Sequence, residues 1–334
     1  MAAGPPFPVS DHCDGWRFFN PTGSRARSFG DLPKWWWQRW RSRLPAWPAS
    51  VPPLQPVCLP PTVPVGHLAA TFIGQATFLL QFPELTVLTD PVFSERTGPF
   101  GVLGSRRIRP PALSLEELPP VDLVLLSHNH YDHLDLAALR WLAQHRRPRI
   151  VVPLGVGAWL AARHVTGAIE LDWWQSHAIS AGNTVVCTPA QHWSSRLPWD
   201  RCRTLWGGFG LKTPSGTVFF CGDSGYGPHF SSIGRRLGSC DLALLPIGAY
   251  EPRWFMQPMH MNPEEAVRAH RDLGARRSVA MHFGTIRLAD EAFDEPLHAL
   301  GEARRAQGVT GEEFLALDFG ETGLFPLGRG SWPP

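Results

Sequence analysis

Long apolar runs and paired cysteine spacings are both scarce in this sequence. No stretch reaches the roughly 18 to 20 uninterrupted apolar residues that a membrane-spanning helix needs, so any membrane contact is expected to be peripheral. The six cysteines show no C-x-x-C spacing, and the N-terminus has no charged region followed by an apolar run. These features predict a reducing, cytoplasmic compartment, with the inner face of the membrane as the place of any peripheral contact.

Lysine and net charge are also low. Lys34 and Lys212 are the only lysines among 31 basic residues, and 29 acidic residues leave a formal charge of +2. A balance this small gives no reason to infer binding to a polyanion, so we expect no nucleic-acid partner.

The chain has 334 residues and 43% hydrophobic content, enough to bury a sizeable core. Residues 1–66 are rich in proline, tryptophan and arginine and predict an arm, whereas residues 67–334 alternate short β-branched runs with helical patterns. Helices are predicted at about 134–145, 156–163, 262–273 and 289–307. Two β-then-α halves predict an α/β (α+β four-layer) fold, with two sheets packed face to face and helices outside.

Residues 128–133 read HNHYDH and follow the apolar strand 122–127. His128 and His130 are two positions apart, so an extended turn can direct both imidazoles at one metal ion. Asp132 and His133 can then reach a second ion. This loop predicts half of each of two metal sites.

Further ligands are expected where later strands end. His192, Asp223 and His282 each follow an apolar strand, and strand ends hold side chains rigidly. An isolated histidine is more often a core or surface residue, and an aspartate between glycines is often a turn former. The HNHYDH loop reverses that preference, because two metal sites need ligands from elsewhere in the chain.

The predicted ligand assignment places Asp223 between the two ions. One ion is held by His128, His130 and His192, and the other by Asp132, His133 and His282. Nitrogen and oxygen ligands suit zinc, with iron and manganese left open. Two zinc ions roughly 3.5–4 Å apart can share a water and produce hydroxide near neutral pH, which predicts hydrolysis of a phosphodiester with Asp132 and Asp223 as catalytic residues.

Several segments resemble the metallo-β-lactamase superfamily and, more closely, the N-acylphosphatidylethanolamine-hydrolysing phospholipase D family. The resemblance covers about residues 68–320 and rests on TFIGQATFLLQ, LTDPVFSER, LPPVDLVLLSHNHYDHLD, IELDWWQ, TPAQHW, FFCGDSGYGPHF, PIGAYEPRWFM, NPEEAVRAH and AMHFGT. The HNHYDH loop indicates the superfamily alone, whereas the run from PIGAYEPRWFM through NPEEAV is specific to the phospholipase branch.

The resemblance implies an αββα sandwich in which the seven matching residues bind two zinc ions. Antibiotic-cleaving members often carry cysteine where this chain has Asp223, so the resemblance favours the phosphodiesterase and lactonase branches. It also implies that His260 lies near the scissile phosphate, where it either protonates the leaving oxygen or orients the phosphate; a surface histidine before a helix cap is the alternative. Met259 departs from the glutamine of the animal enzymes at a substrate-contacting position. Tyr131 either contacts substrate or packs against its loop.

The resemblance implies release of an N-acylethanolamine and a phosphatidic acid from an N-acylated phosphatidylethanolamine. A soluble phosphorylated lactone or small phosphodiester is the alternative substrate, and a metal-binding interaction module without turnover is the non-enzymatic alternative. Residues 34–43 mix tryptophan with arginine as interfacial helices do, and we expect them either to dock on anionic bilayers or to cover a core. A homodimer is left open.

Overall fold

The structure is a computed structural model, and it describes residues 5–26, 29–52, 56–238 and 240–328. Its helices are α1 (Leu32–Arg41), α2 (Leu136–His145), α3 (Val156–Ala161), α4 (His229–Leu237), α5 (Arg253–Met256), α6 (Pro263–Leu273) and α7 (Glu295–Gln307). Its first eight strands are β1 (His67–Gly74), β2 (Thr77–Gln81), β3 (Thr86–Thr89), β4 (Arg96–Thr97), β5 (Ser105–Arg106), β6 (Leu123–Leu125), β7 (Arg149–Pro153) and β8 (Ile169–Leu171). The others are β9 (Ser176–Ser180), β10 (Asn183–Thr188), β11 (Gly208–Lys212), β12 (Thr217–Phe220), β13 (Cys240–Pro246), β14 (Ala275–Met281), β15 (Phe314–Leu315) and β16 (Thr322–Pro326).

Fourteen of these strands form two seven-stranded sheets. The first has the order β16-β1-β2-β3-β6-β7-β8, and the second has the order β15-β14-β13-β12-β11-β10-β9. Each sheet has an antiparallel part and a parallel part. α-Helices connect the parallel strands, except that the β4–β5 hairpin lies between β3 and β6. β4 and β5 form a separate hairpin.

The main core lies between the two sheets. Phe72 and Phe78 of the first sheet share one buried cluster with Phe209 and Phe220 of the second. Burying an aromatic side chain of this kind contributes about 1.5–3 kcal/mol. A second cluster lies on the outer face of the first sheet, under α2 and α3. The predicted four-layer sandwich is confirmed.

The predicted start of the last helix was wrong. It was expected from about residue 289, but α7 begins at Glu295. The carboxylate of Glu291 accepts hydrogen bonds from the backbone amides of Ala249 (2.6 Å) and Glu251 (3.1 Å), and its carbonyl accepts one from the Trp47 indole. These long-range contacts hold residues 289–294 outside the helix, and Pro296 lies in its first turn.

The N-terminal segment lies against the body of the protein at several points. His12 Nε2 is 2.8 Å from Asp172, and Asn20 Nδ2 donates to the carbonyl of His192. In α1, Trp35 is buried and contacts Phe255. Of the helices in the described ranges, none combines the length and the apolar character needed to cross a bilayer.

Candidate metal centre

The seven predicted ligands come from the ends of four strands. The 128–133 loop lies between β6 and α2 of the first sheet. His192, Asp223 and His282 follow β10, β12 and β14 of the second sheet. The structure brings all seven into two neighbouring clusters at one edge of the sandwich.

The first cluster consists of His128, His130 and His192. His128 Nε2 lies 2.9 Å from His130 Nδ1, and His192 Nε2 lies 3.2 Å from the same atom. Nitrogens that share one tetrahedral zinc at 2.0–2.1 Å are separated by about 3.4 Å. The spacing of these three nitrogens therefore fits one ion.

The second cluster consists of Asp132, His133, Asp223 and His282. His282 Nε2 lies 3.2 Å from both Asp132 Oδ2 and His133 Nε2, and 3.3 Å from Asp223 Oδ1. Asp223 Oδ2 is 3.2 Å from His133 Nε2 and 3.9 Å from His192 Nε2. Asp223 is thus the carboxylate that contacts both clusters.

Hydrogen bonds on the far side of three of the five histidine rings fix which nitrogen faces the centre. His192 Nδ1 donates to the Met259 carbonyl at 2.9 Å, and His133 Nδ1 donates to Asp90 Oδ2 at 2.6 Å. The Ser127 hydroxyl donates to Asp90 at 2.6 Å, so it must accept from His128 Nδ1 at 2.9 Å. In their neutral forms, these three rings therefore present the Nε2 lone pair that a metal requires.

The two clusters differ in their electrostatics. Burial lowers the pKa of His128 and His130 well below the ordinary value, and it lowers the pKa of His192 to about 4. Burial acts in the same direction on the second cluster, but the carboxylates of Asp223 and Asp132 outweigh it. They raise the pKa of His133, and they raise the pKa of His282 to about 9. A bound cation would replace those protons, because metal binding to histidine releases them.

Sequence reasoning assigned no role to Asp90 or Ser127. Asp90 directly follows β3, is fully buried, and orients His133 directly and His128 through Ser127. The available signal was its position at a strand end, the same position that marked Asp223. Gln75 was also missed; its side-chain amide donates to Asp132 Oδ2 at 3.1 Å.

Two backbone features keep the clusters close together. Gly222 has φ +62°, and a Cβ added there would lie 2.5 Å from Ser127 Cβ. Glycine is therefore required for Asp223 to approach the 128–133 loop. His282 also adopts a left-handed φ of 62°, which histidine rarely does. Strain of this kind concentrates at functional sites.

The three predicted substrate contacts lie beside the clusters. His260 Nδ1 is buried, 3.7 Å from Asp223 Oδ2, with no hydrogen-bond partner among the described residues. Burial lowers the pKa of His260 to about 3. The side chain of Met259 is buried. Tyr131 lines a neighbouring cavity, with the Arg196 guanidinium 3.8 Å from its ring centre.

Comparisons with known proteins show the family of this chain. The Beta-lactamase superfamily domain matches residues 86–283, more than half of the chain. N-acyl-phosphatidylethanolamine-hydrolyzing phospholipase D 1 of Caenorhabditis elegans is 38% identical over 267 residues, which cover 76% of this chain and 75% of that protein. An uncharacterized protein of Mycobacterium tuberculosis is 44% identical over 250 residues, which cover 73% of this chain and 66% of the relative, slightly less than two thirds of its length.

Solved structures agree on the fold. Igni18, a metallo hydrolase from Ignicoccus hospitalis, superposes with a TM-score of 0.58 at 20% identity, covering 78% of this chain and 98% of that one. At that identity the likeness shows the fold alone, whereas the sequence matches also show the family. The chain belongs to the beta-lactamase superfamily of metal-dependent hydrolases, in the branch that contains the N-acyl-phosphatidylethanolamine-hydrolysing phospholipases D.

Proposed function

We propose that this protein is a two-zinc hydrolase that cleaves the phosphodiester of an N-acylated phosphatidylethanolamine-like lipid. The products would be an N-acylethanolamine and a phosphatidic acid. The observation that carries the proposal is the pair of ligand clusters that share Asp223. The lipid substrate is supported by the name and 38% identity of the nematode relative.

The ligand assignment follows from the two clusters. His128, His130 and His192 would hold one ion; Asp132, His133 and His282 would hold the other, with Asp223 between them. When bound, such a pair of ions activates water and neutralises charge on phosphate oxygens. Asp90 and the Met259 carbonyl keep the ligand rings in the orientation this requires.

His260 is proposed to orient the phosphate. Its carbonyl accepts a hydrogen bond from Arg253 Nη1 at 3.0 Å, and Arg253 pairs with Glu265 at 2.7 Å. Glu265 also belongs to the capping box of α6. The lowered pKa of His260 favours a neutral imidazole at neutral pH, which orients an oxygen by donating one hydrogen bond rather than by protonating it. Tyr131 and Met259 stay predicted substrate contacts.

Metal analysis coupled to a substrate screen tests this function. We expect about two zinc ions per chain, turnover of N-acylated phospholipid, and loss of turnover on chelation with recovery on zinc addition. Turnover of a soluble phosphodiester or phosphorylated lactone alone would replace the lipid substrate with the alternative. Bound metal without turnover of any of these substrates would favour the alternative of a metal-binding interaction module.

The arm and the oligomeric state also belong to the proposal. We place the boundary between an N-terminal arm, residues 1–66, and the catalytic domain, residues 67–334, where β1 begins at His67. A cytoplasmic location and a homodimer stay predictions.

Helix α1 is proposed to dock the enzyme on anionic bilayers. Trp35 anchors the helix to Phe255, while Trp36, Trp37 and Trp40 are 61%, 54% and 83% exposed. The same helix carries Lys34, Arg39 and Arg41. Exposed indole rings interspersed with cations suit the interface of an anionic membrane.

Replacing Trp36, Trp37 and Trp40 together by serine should weaken co-sedimentation with anionic liposomes by about tenfold or more, because apolar area contributes about 25 cal/mol per Å². The control is the double variant Trp16→Ser with Trp199→Ser, which removes tryptophans that are 52% and 69% exposed elsewhere. If the triple variant sediments like the parent protein, the docking role of α1 is wrong.

A further inference from the structure

A cavity of about 480 Å³ lies beside the 128–133 loop and is rich in arginine. Four arginines line it, and we call it the arginine pocket: Arg96, Arg140, Arg163 and Arg196. They come from β4, from α2, from just after α3 and from the loop after β10. None of the seven predicted ligands is among its described lining residues, but Tyr131 of the 128–133 loop is, so the pocket adjoins the metal centre.

The four guanidinium groups have no carboxylate partner among the residues that the structure describes. Arg96, Arg140 and Arg163 each donate to a backbone carbonyl at 3.0 Å, and Arg196 donates to the carbonyls of Asn129 and Leu134. Three other arginines in the described part of the chain do form ion pairs with carboxylates: Arg39, Arg106 and Arg253. The pocket therefore holds unneutralised positive charge.

The acidic residue in the pocket wall does not offset this charge fully. Asp135 accepts hydrogen bonds from four backbone amides: those of Phe93, Ser94, Ala137 and Ala138. Its single charge stands against four arginines, and both of its oxygens are already engaged. The pocket thus keeps a net attraction for an anion.

Aromatic and apolar groups shape the rest of the pocket. The guanidinium carbon of Arg163 lies 3.7 Å from the Trp159 ring centre, and that of Arg196 lies 4.8 Å from it. Stacking of this kind holds a guanidinium in place while leaving N–H donors for a ligand. Pro99, Phe100, Leu136 and Leu197 line the same cavity and provide apolar wall.

We propose that the arginine pocket binds the phosphate group of a second molecule, distinct from the substrate at the metal centre. Arginine forks match phosphate oxygens bidentately, and four guanidinium groups without a carboxylate partner among the described residues line this one cavity. Phe100, Val102 and Leu103 at the tip of the β4–β5 hairpin are 92%, 66% and 56% exposed, and Phe100 also lines the pocket. An apolar tip beside a cationic pocket favours a phospholipid headgroup as the source of this phosphate over a free phosphate compound.

The test compares the double variant Arg140→Gln with Arg163→Gln against Arg276→Gln with Arg305→Gln. The control pair removes the same charge from exposed positions on β14 and α7. Inorganic phosphate binding is measured by calorimetry on the zinc-loaded protein and again after chelation of the metal, because zinc at the metal centre also binds phosphate oxygens and only the site in the arginine pocket should persist without zinc. The pocket variant should bind at least about tenfold more weakly, since each hydrogen bond to a charged group contributes that much. The control should bind as the parent does.

A second arm distinguishes the two sources of phosphate. Sedimentation is compared between phosphatidylcholine vesicles and the same vesicles containing phosphatidic acid. A lipid headgroup predicts that the pocket variant loses the extra binding to phosphatidic acid and that Phe100→Ser reduces it. A free phosphate compound predicts weaker calorimetric binding with unchanged sedimentation.

Either result, for a lipid headgroup or for a free phosphate compound, supports phosphate binding in the arginine pocket. The proposal is overturned if the parent binds neither probe, or if the pocket variant matches the control in both measurements. Should the double variant fail to fold, the single change Arg140→Gln carries the same comparison, because Arg140 is exposed and its side chain donates to one carbonyl.

Discussion

Replacing Asp223 by alanine should reduce turnover by more than about 100-fold, the upper end of the loss seen when residues that merely orient metal ligands are removed. Asp223 is the carboxylate within 3.2–3.9 Å of histidines in both clusters, so its loss separates the two halves of the centre. Initial rates on an N-acylated phospholipid, together with zinc content per chain, measure the effect.

Asp294→Ala is the matched control. Asp294 is an exposed carboxylate at the start of α7 with no side-chain capping bond, so its removal should leave turnover and zinc content unchanged. A loss of turnover in the Asp223 variant counts for the two-metal mechanism only if circular dichroism shows a folded protein, and undiminished turnover would reject that mechanism.

Replacing Asp90 by alanine should weaken zinc binding by about 10- to 100-fold, the range for partners that orient metal ligands. Asp90 accepts from the Ser127 amide at 2.7 Å, the Ser127 hydroxyl at 2.6 Å and His133 Nδ1 at 2.6 Å. Each buried donor left without an acceptor costs about 1–3 kcal/mol, so the free energy of unfolding should also fall. Chelator competition and urea denaturation measure the two effects.

Asp122→Ala serves as the control for Asp90. Asp122 also accepts a backbone amide hydrogen bond in the first sheet, from Thr86 at 2.8 Å, but it is exposed and contacts no predicted ligand. We expect it to lose some stability and to keep its zinc affinity. A zinc affinity in the Asp90 variant equal to that of the Asp122 variant would show that ring orientation by Asp90 is unimportant.

The parts of the site that were predictable share a local signature. His128, His130, Asp132 and His133 lie in six consecutive residues, so their spacing alone indicates metal binding. The two-layer sheet arrangement was also readable, because β-branched runs alternated with helical periodicity. Both predictions rest on residues that are close in sequence. His192, Asp223 and His282 were predicted less directly, because each follows an apolar strand and two metal sites need ligands from outside the loop.

The missed parts depend on contacts between distant segments. Asp90 binds Ser127 and His133, which lie 37 and 43 residues away. It follows a strand as Asp223 does, but the seven predicted ligands already completed both sites, so no missing ligand distinguished Asp90 from a turn former. Arg196 donates hydrogen bonds to the carbonyls of Leu134 and Asn129, which lie 62 and 67 positions earlier in the sequence. The start of α7 was misplaced for the same reason, since Glu291 is held by residues from two other segments.

The predicted ligands are divided between the two sheets: four follow β6 in the first, and three follow β10, β12 and β14 in the second. An ion bound by residues of both sheets would link the two sheets of the sandwich. Its full affinity would develop only after the two halves of the chain have come together. Metal occupancy of the centre is therefore coupled to tertiary folding. A shortage of metal during synthesis should slow folding of the protein as well as abolish its activity.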